Sequence, residues 1–180
     1  MKIRIAIDRL VLATALLLAG VVSAHGPAKP ALSEAKVGTA SMGMPVYVQN
    51  IDPAAVGAVT VVDAFSAAIK AVKIDDAAKL LDPHVLILES GGSERSRDEY
   101  LRVHAIADAA FMQTAQQQLR YRQAQAFGEI AWVGTESAMR ITKSGKTSIL
   151  LSTETMVLKK TSDGWKIVHI HWSSRPAPKN

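Results

Sequence analysis

Near residue 112 the spacing of apolar residues changes from the three-to-four repeat of a helix to the alternation of a strand, and it does not change back. Before that point Val56, Val59, Val62, Phe65, Ile69 and Val72 recur at helical spacing. Thr60, Asp63, Ser66, Lys70 and Lys73 fall mainly between them. This predicts an amphipathic helix opening at Asp52-Pro53, where the aspartate caps and the proline suits the first turn. Asp75 is expected to cap a second, short helix that ends before Asp82-Pro83. His84 to Glu89 follows as a brief strand, stopped by Gly91-Gly92. Ser96-Arg97-Asp98-Glu99 has the form of a capping box, and the helix it opens carries Tyr100, Val103, His104, Ala107 and Phe111 on one side.

Beyond residue 112 four strand-like stretches follow, at 116–126, 130–142, 147–159 and 165–174. Gly128, Ser144-Gly145 and Ser162-Asp163-Gly164 separate them. Helices first and a meander afterwards predict an α+β domain, with helices packed on one face of a curved antiparallel sheet. There is no internal repeat.

The N-terminus has a different character. Lys2, Arg4 and Arg9 precede an uncharged, mostly apolar run from Leu10 to Val22, and Val22-Ser23-Ala24 supplies the small residues a signal peptidase reads. The run is shorter than the roughly 20 residues that span a bilayer. The expectation is therefore a cleaved signal at 1–24, a periplasmic or secreted product and no stable membrane anchor. A flexible lead-in at 25–51, the domain at 52–175 and a tail at 176–180 complete the organisation. The chain has no cysteine, which excludes a lipidated-cysteine anchor and disulfides. The leader carries three basic residues and Asp8, so the net charge of +5 for the whole chain falls to +3 after cleavage. The remaining charges are scattered, which argues against a nucleic-acid partner.

The order of elements resembles the nuclear-transport-factor-2-like superfamily. Gly91-Gly92-Ser93-Glu94-Arg95-Ser96-Arg97-Asp98-Glu99-Tyr100 resembles the loop and helix start of SnoaL-like proteins. The stretch from Gly164-Trp165-Lys166-Ile167-Val168-His169-Ile170 through His171-Trp172-Ser173-Ser174 resembles their last strand, and that of the calcium/calmodulin-dependent kinase II association domain. The resemblance covers residues 54–175. It implies a cone-shaped, strongly curved sheet with helices on its concave face, a pocket for a small-molecule ligand, and a homodimer formed through the outer sheet face. It does not imply one reaction, because the superfamily holds isomerases, polyketide cyclases, dehydratases, a carbonic anhydrase class and non-catalytic members. Exported carbonic anhydrases of the group end in His-His-Ser-Ser, where this chain has His171-Trp172-Ser173-Ser174.

Alternation in the last strand places Trp165, Ile167, His169, His171 and Ser173 on one face and Trp172 on the other. By the resemblance the histidine face points into the cone, leaving Trp172 outside to anchor a partner. Two imidazoles at that spacing can hold a ligand, bind a metal, relay a proton, or simply complete the core. His104 lies one helical turn beyond Tyr100 and faces the same way. Glu89 ends an apolar strand face as either a pocket base or a partner for a histidine. Tyr100, His104, His169, His171 and Glu89 are thus the candidate ligand-binding residues, and Glu89, His104, His169 and His171 the candidate catalytic set. Those four also make a plausible shell for a divalent metal, on condition that the fold brings them within 8 Å. Glu154 is expected to pair with Arg120 or Arg122 across the sheet. A second metal idea places copper on a newly exposed His25, with Met42 and Met44 as soft ligands. No nucleophile elbow or phosphate-cradling glycine loop is present.

Overall fold

The computed structural model describes residues 47–178. The expected signal, most of the lead-in and the copper ligands His25, Met42 and Met44 lie outside these residues.

The first helix forms where the apolar spacing predicts it. Asp52 Oδ1 accepts from the Ala54 amide at 2.9 Å and opens a single 3-10 turn, Pro53–Ala55, which runs into α1, Val56–Lys70. Ala58, Val59, Val62, Phe65, Ala68 and Ile69 of α1 are buried. The helix ends in a Schellman motif: the Lys73 amide bonds Ala68 O and the Val72 amide bonds Ile69 O, with Val72 left-handed at φ 57°. The next helix, α2 (Ile74–Leu80), starts after Lys73 with no side-chain cap, so Asp75 sits in its first turn and not at its cap. The helix predicted through Phe111 is broken in two. Ser96 Oγ accepts from the Glu99 amide at 3.1 Å and opens α3, Arg97–Val103; the returning Glu99 carboxylate takes the Arg95 amide at 2.7 Å. His104 closes α3 and precedes α4, Ala105–Thr114.

The strands are β1 (Val48–Ile51), β2 (Leu81–Glu89), β3 (Gly92–Glu94), β4 (Gln116–Phe127), β5 (Ile130–Lys143), β6 (Lys146–Thr161) and β7 (Gly164–Pro176). They form one mixed sheet in the order β1-β4-β5-β6-β7-β2-β3. The four long strands make the expected antiparallel meander, but β1 joins β4 and β2 joins β7 in parallel. Two expectations change here. Residues 48–51 belong to the sheet and not to the lead-in, and the sheet is not purely antiparallel.

Register organises the concave face into rungs. Ala126, Ala131, Leu158 and Ile167 make one, and Ala124, Val133, Met156, Ile170 and Ile87 the next; apart from Ala126, which is partly buried, all of these are buried. The following rung is Arg122, Thr135, Glu154, Trp172 and Glu89, and beyond it come Ser137, Ser152 and Ser174. The core under α1 thus grades into a polar end. Two β-bulges set this pattern, at Arg120 in β4 and at Val168 in β7. A bulge inserts one extra residue and inverts the alternation beyond it.

Candidate functional site

At the polar end of the concave face lies a cavity of about 180 Å³. Phe65 and Ile69 of α1, Phe111 and Met112 of α4, and Met139 and Leu150 of the sheet supply its apolar wall. Glu89, Tyr100, Asp108, Glu154, Trp172 and the serine rung supply polar atoms.

The polar groups are placed by local structure. Tyr100, His104 and Asp108 follow one another at four-residue intervals through the α3–α4 junction, where backbone bonds link Tyr100 O to the His104 amide and His104 O to the Asp108 amide. Tyr100 is fully buried, its ring tilted against Phe65 and Trp172 with centroids 6.5 and 6.2 Å away. Its hydroxyl donates to Asp108 Oδ2 at 3.0 Å. Burial pushes the Asp108 carboxyl above its ordinary range, opposed by that hydrogen bond. The Tyr100 phenol is itself pushed far up by burial and by the Asp108 charge.

Glu89 ends β2 and borders the cavity. Ser90 and Gly91, both at positive φ (42° and 88°), form the two-residue turn that pairs Glu89 with Gly92 and Ile87 with Glu94. The turn sets Glu89 and Glu94 on one face. His104 Nδ1 lies 3.8 Å from Glu89 Oε1 and is hydrogen-bonded to Glu94 Oε1. Burial, then the Asp108 charge, raise the Glu89 carboxyl. Across the cavity Trp172 Nε1 donates to Glu154 Oε2 at 2.8 Å, and Glu154 too is raised by burial.

Several sequence expectations change. The bulge at Val168 inverts the last strand: Ile167 points inward before it, Ile170 and Trp172 after it. Trp172 therefore lines the cavity, and His169 and His171 lie on the outer face. His169 Nδ1 donates to Leu86 O at 2.8 Å, and His171 is exposed. The four-residue metal shell is not assembled; only its Glu89 and His104 come together, with Glu94 where the two strand histidines were expected. Glu154 does not pair with an arginine. Arg122 instead bonds Asp63 Oδ1 at 2.6 Å and Thr135 Oγ1 at 3.3 Å. Sequence reasoning also missed Asp108, although its spacing from Tyr100 and His104 was visible, and it missed Glu94, which no local signal marks.

The SnoaL-like domain model matches residues 59–178. The chain belongs to the SnoaL-like family. Among solved structures it is similar to a candidate ketosteroid isomerase from Shewanella frigidimarina, with 33% identity over 69% of this chain and 99% of that one and a TM-score of 0.63. It shares its fold with a candidate calcium/calmodulin-dependent protein kinase II association domain from Xanthomonas campestris (21% identity, 71% and 91% covered, TM-score 0.57). A candidate dehydratase from Streptomyces avermitilis is similar in the same way (20%, 68% and 95%, 0.53). No curated protein matches. This SnoaL-like chain therefore has the curved, open sheet and helices of the nuclear-transport-factor-2-like group.

Proposed function

We propose that this SnoaL-like domain binds a small, largely apolar molecule bearing a carbonyl or hydroxyl oxygen in its cavity. The buried Tyr100–Asp108 hydrogen bond carries the reading, because it offers oriented polar atoms at the wall of an otherwise mainly apolar space. Size narrows the ligand. At about 180 Å³ the cavity is slightly larger than the roughly 150 Å³ that accepts a benzene ring. One ring is enclosed, and a fused-ring molecule extends into solvent. The test is a panel of one-ring ketones and phenols, with binding read by calorimetry. Removing the Tyr100 hydroxyl, whose oxygen can accept from a ligand hydroxyl while its proton stays on Asp108, should weaken phenol binding by about 10-fold, the worth of one hydrogen bond. A panel in which nothing binds, or in which Tyr100→Phe leaves affinity unchanged, refutes the assignment.

Proton transfer on the bound molecule is the second reading. It is supported by Asp108 and Glu154, whose raised carboxyls exchange protons nearer neutrality than free ones do. The named isomerase and dehydratase neighbours are in keeping with it. Deuterium uptake next to the carbonyl of a bound ketone, followed by NMR, tests it; uptake at the buffer rate ends it.

The outer sheet face supports a homodimer. Leu86, Trp132, Val157 and His169 share one outer row, and related folds include association domains. Trp132→Glu should shift a sedimenting dimer to monomer. Export rests on the basic and apolar leader, and N-terminal sequencing of envelope protein should begin at His25.

A further inference from the structure

Behind the cavity wall, Glu89, Glu94 and His104 converge from three separate elements. Glu89 comes from the end of β2, Glu94 from β3, and His104 from the junction of α3 and α4. One ligand-type atom from each lies within 4.8 Å of the others. We propose that these three side chains form a site for a single divalent first-row metal ion, zinc or one of similar size and donor preference. The site adjoins the cavity, but the inference stands whatever the cavity binds.

The decisive observation is the state of Glu94. Its side chain is 3% exposed, and while Oε1 meets His104, Oε2 is buried without any hydrogen-bond partner. A buried carboxylate oxygen left unpaired is costly, and carboxylates taken out of water are ordinarily paired or coordinate a metal. Here the pairing is incomplete. Among the described residues no lysine or arginine forms an ion pair with Glu89 or Glu94, and His104 is the one basic side chain beside them. Two carboxylates thus face one imidazole, a balance that a dication corrects.

The donor set also fits. Two carboxylates and an imidazole suit zinc, and three protein ligands leave a fourth position open, as in zinc sites that bind water or substrate. Ligand atoms around a tetrahedral zinc lie about 3.4 Å apart, given bonds of about 2.1 Å. Binding therefore needs His104 Nδ1 to exchange its hydrogen bond with Glu94 for the ion and Glu89 Oε1, 3.8 Å from Nδ1, to close in on it by about 0.4 Å. Both are side-chain movements. The backbone is already held, by the Ser90-Gly91 turn on one side and by the helix bonds through His104 on the other. Of the three, Glu89 also borders the cavity.

The experiment titrates zinc into the full-length chain in chelator-free buffer by calorimetry, with cobalt as a spectroscopic probe. The expected result is one ion per chain and visible cobalt bands of nitrogen–oxygen ligation. Glu94→Gln and His104→Gln should each weaken zinc binding by at least about 100-fold, since losing a residue that merely supports a ligand costs 10–100-fold. Circular dichroism checks folding; if Glu94→Gln fails to fold, His104→Gln, altered at a partly exposed side chain, decides. A His169→Gln/His171→Gln variant, changed only on the outer face, should bind as the parent does. The proposal is overturned if the parent chain binds no stoichiometric ion, if a folded Glu94 or His104 variant binds as tightly as the parent, or if the outer-face variant is the one that loses the ion. Ketone binding with no zinc binding would reject this site and leave the cavity reading standing, and the reverse result would do the opposite.

Discussion

Replacing Tyr100 by phenylalanine removes one oxygen and keeps the ring between Phe65 and Trp172, so its cost isolates the bond to Asp108. A hydrogen bond to a charged acceptor contributes about 1.5–3 kcal/mol. Asp108 borders the cavity, where water can replace part of what is lost, so the lower end applies and about 1.5 kcal/mol is expected near pH 8. For a domain of this size that is a fall in Tm of about 6 °C. The pH dependence carries the sharper test. Burial raises the folded Asp108 carboxyl, and the Tyr100 bond holds it lower than burial alone would. Without the hydroxyl the folded carboxyl moves further up. Between the parent's folded value and the variant's, the folded variant keeps a proton that the folded parent has released. The penalty therefore grows as pH rises through that window and is fully developed above it. Below the window both proteins hold Asp108 protonated, and only a neutral hydrogen bond of about 1 kcal/mol or less is lost. Thermal melts by circular dichroism at pH 4 and pH 8 should show the gap between variant and parent narrowing in acid. A gap that widens toward pH 4, or is absent at pH 8, refutes the placement of the hydroxyl against an ionisable Asp108.

Three further outcomes follow from other parts of the fold. Val72→Gly should stabilise by about 1 kcal/mol and raise the urea midpoint, because relief of about 1–2 kcal/mol of left-handed strain at φ 57° exceeds glycine's extra entropy cost of 0.5–1; an unchanged or lower midpoint contradicts it. Asp63→Asn takes the ionic partner from a buried Arg122 and should cost about 2 kcal/mol in urea unfolding, less than for a fully enclosed pair because Asp63 is half exposed; no change would mean that Thr135 and the nearby Glu154 satisfy the guanidinium. Glu154 has its folded carboxyl raised, so its ionisation costs the fold stability as pH rises above the ordinary glutamate range. Glu154→Gln keeps an acceptor for Trp172 Nε1 and should flatten the decline in stability between pH 5 and pH 8; an unaltered slope assigns the decline to other groups.

What the sequence made legible and what it hid divide along a physical line. Helix α1 and the four long strands lie where periodicity and turn residues put them, because each is specified by residues close together in the chain. The orientation of β7 was not legible, since one unpaired residue, Val168, reverses every side chain after it and leaves no mark in the alternation of apolar letters. That slip moved the two strand histidines out of the site and Trp172 into it. The polar rung of Arg122, Thr135, Glu154, Trp172 and Glu89 was hidden for a related reason: its members come from five strands, and only register aligns them. The same register explains why there is a cavity at all. The inner face under α1 is filled by Val133, Met156, Ile170 and their neighbours, whereas the rung beyond Glu154 is built from Ser137, Ser152 and Ser174. Serines are too short to reach the aromatic and methionine side chains of α1 and α4 opposite, so the sheet's curvature leaves unfilled volume there. The register also puts the carboxyls of Glu89 and Glu154 at that volume, where Asp108 of α4 joins them, and burial raises all three. Filling the space with apolar residues would strengthen the core, and the short, polar side chains of these rungs are what keep the volume open.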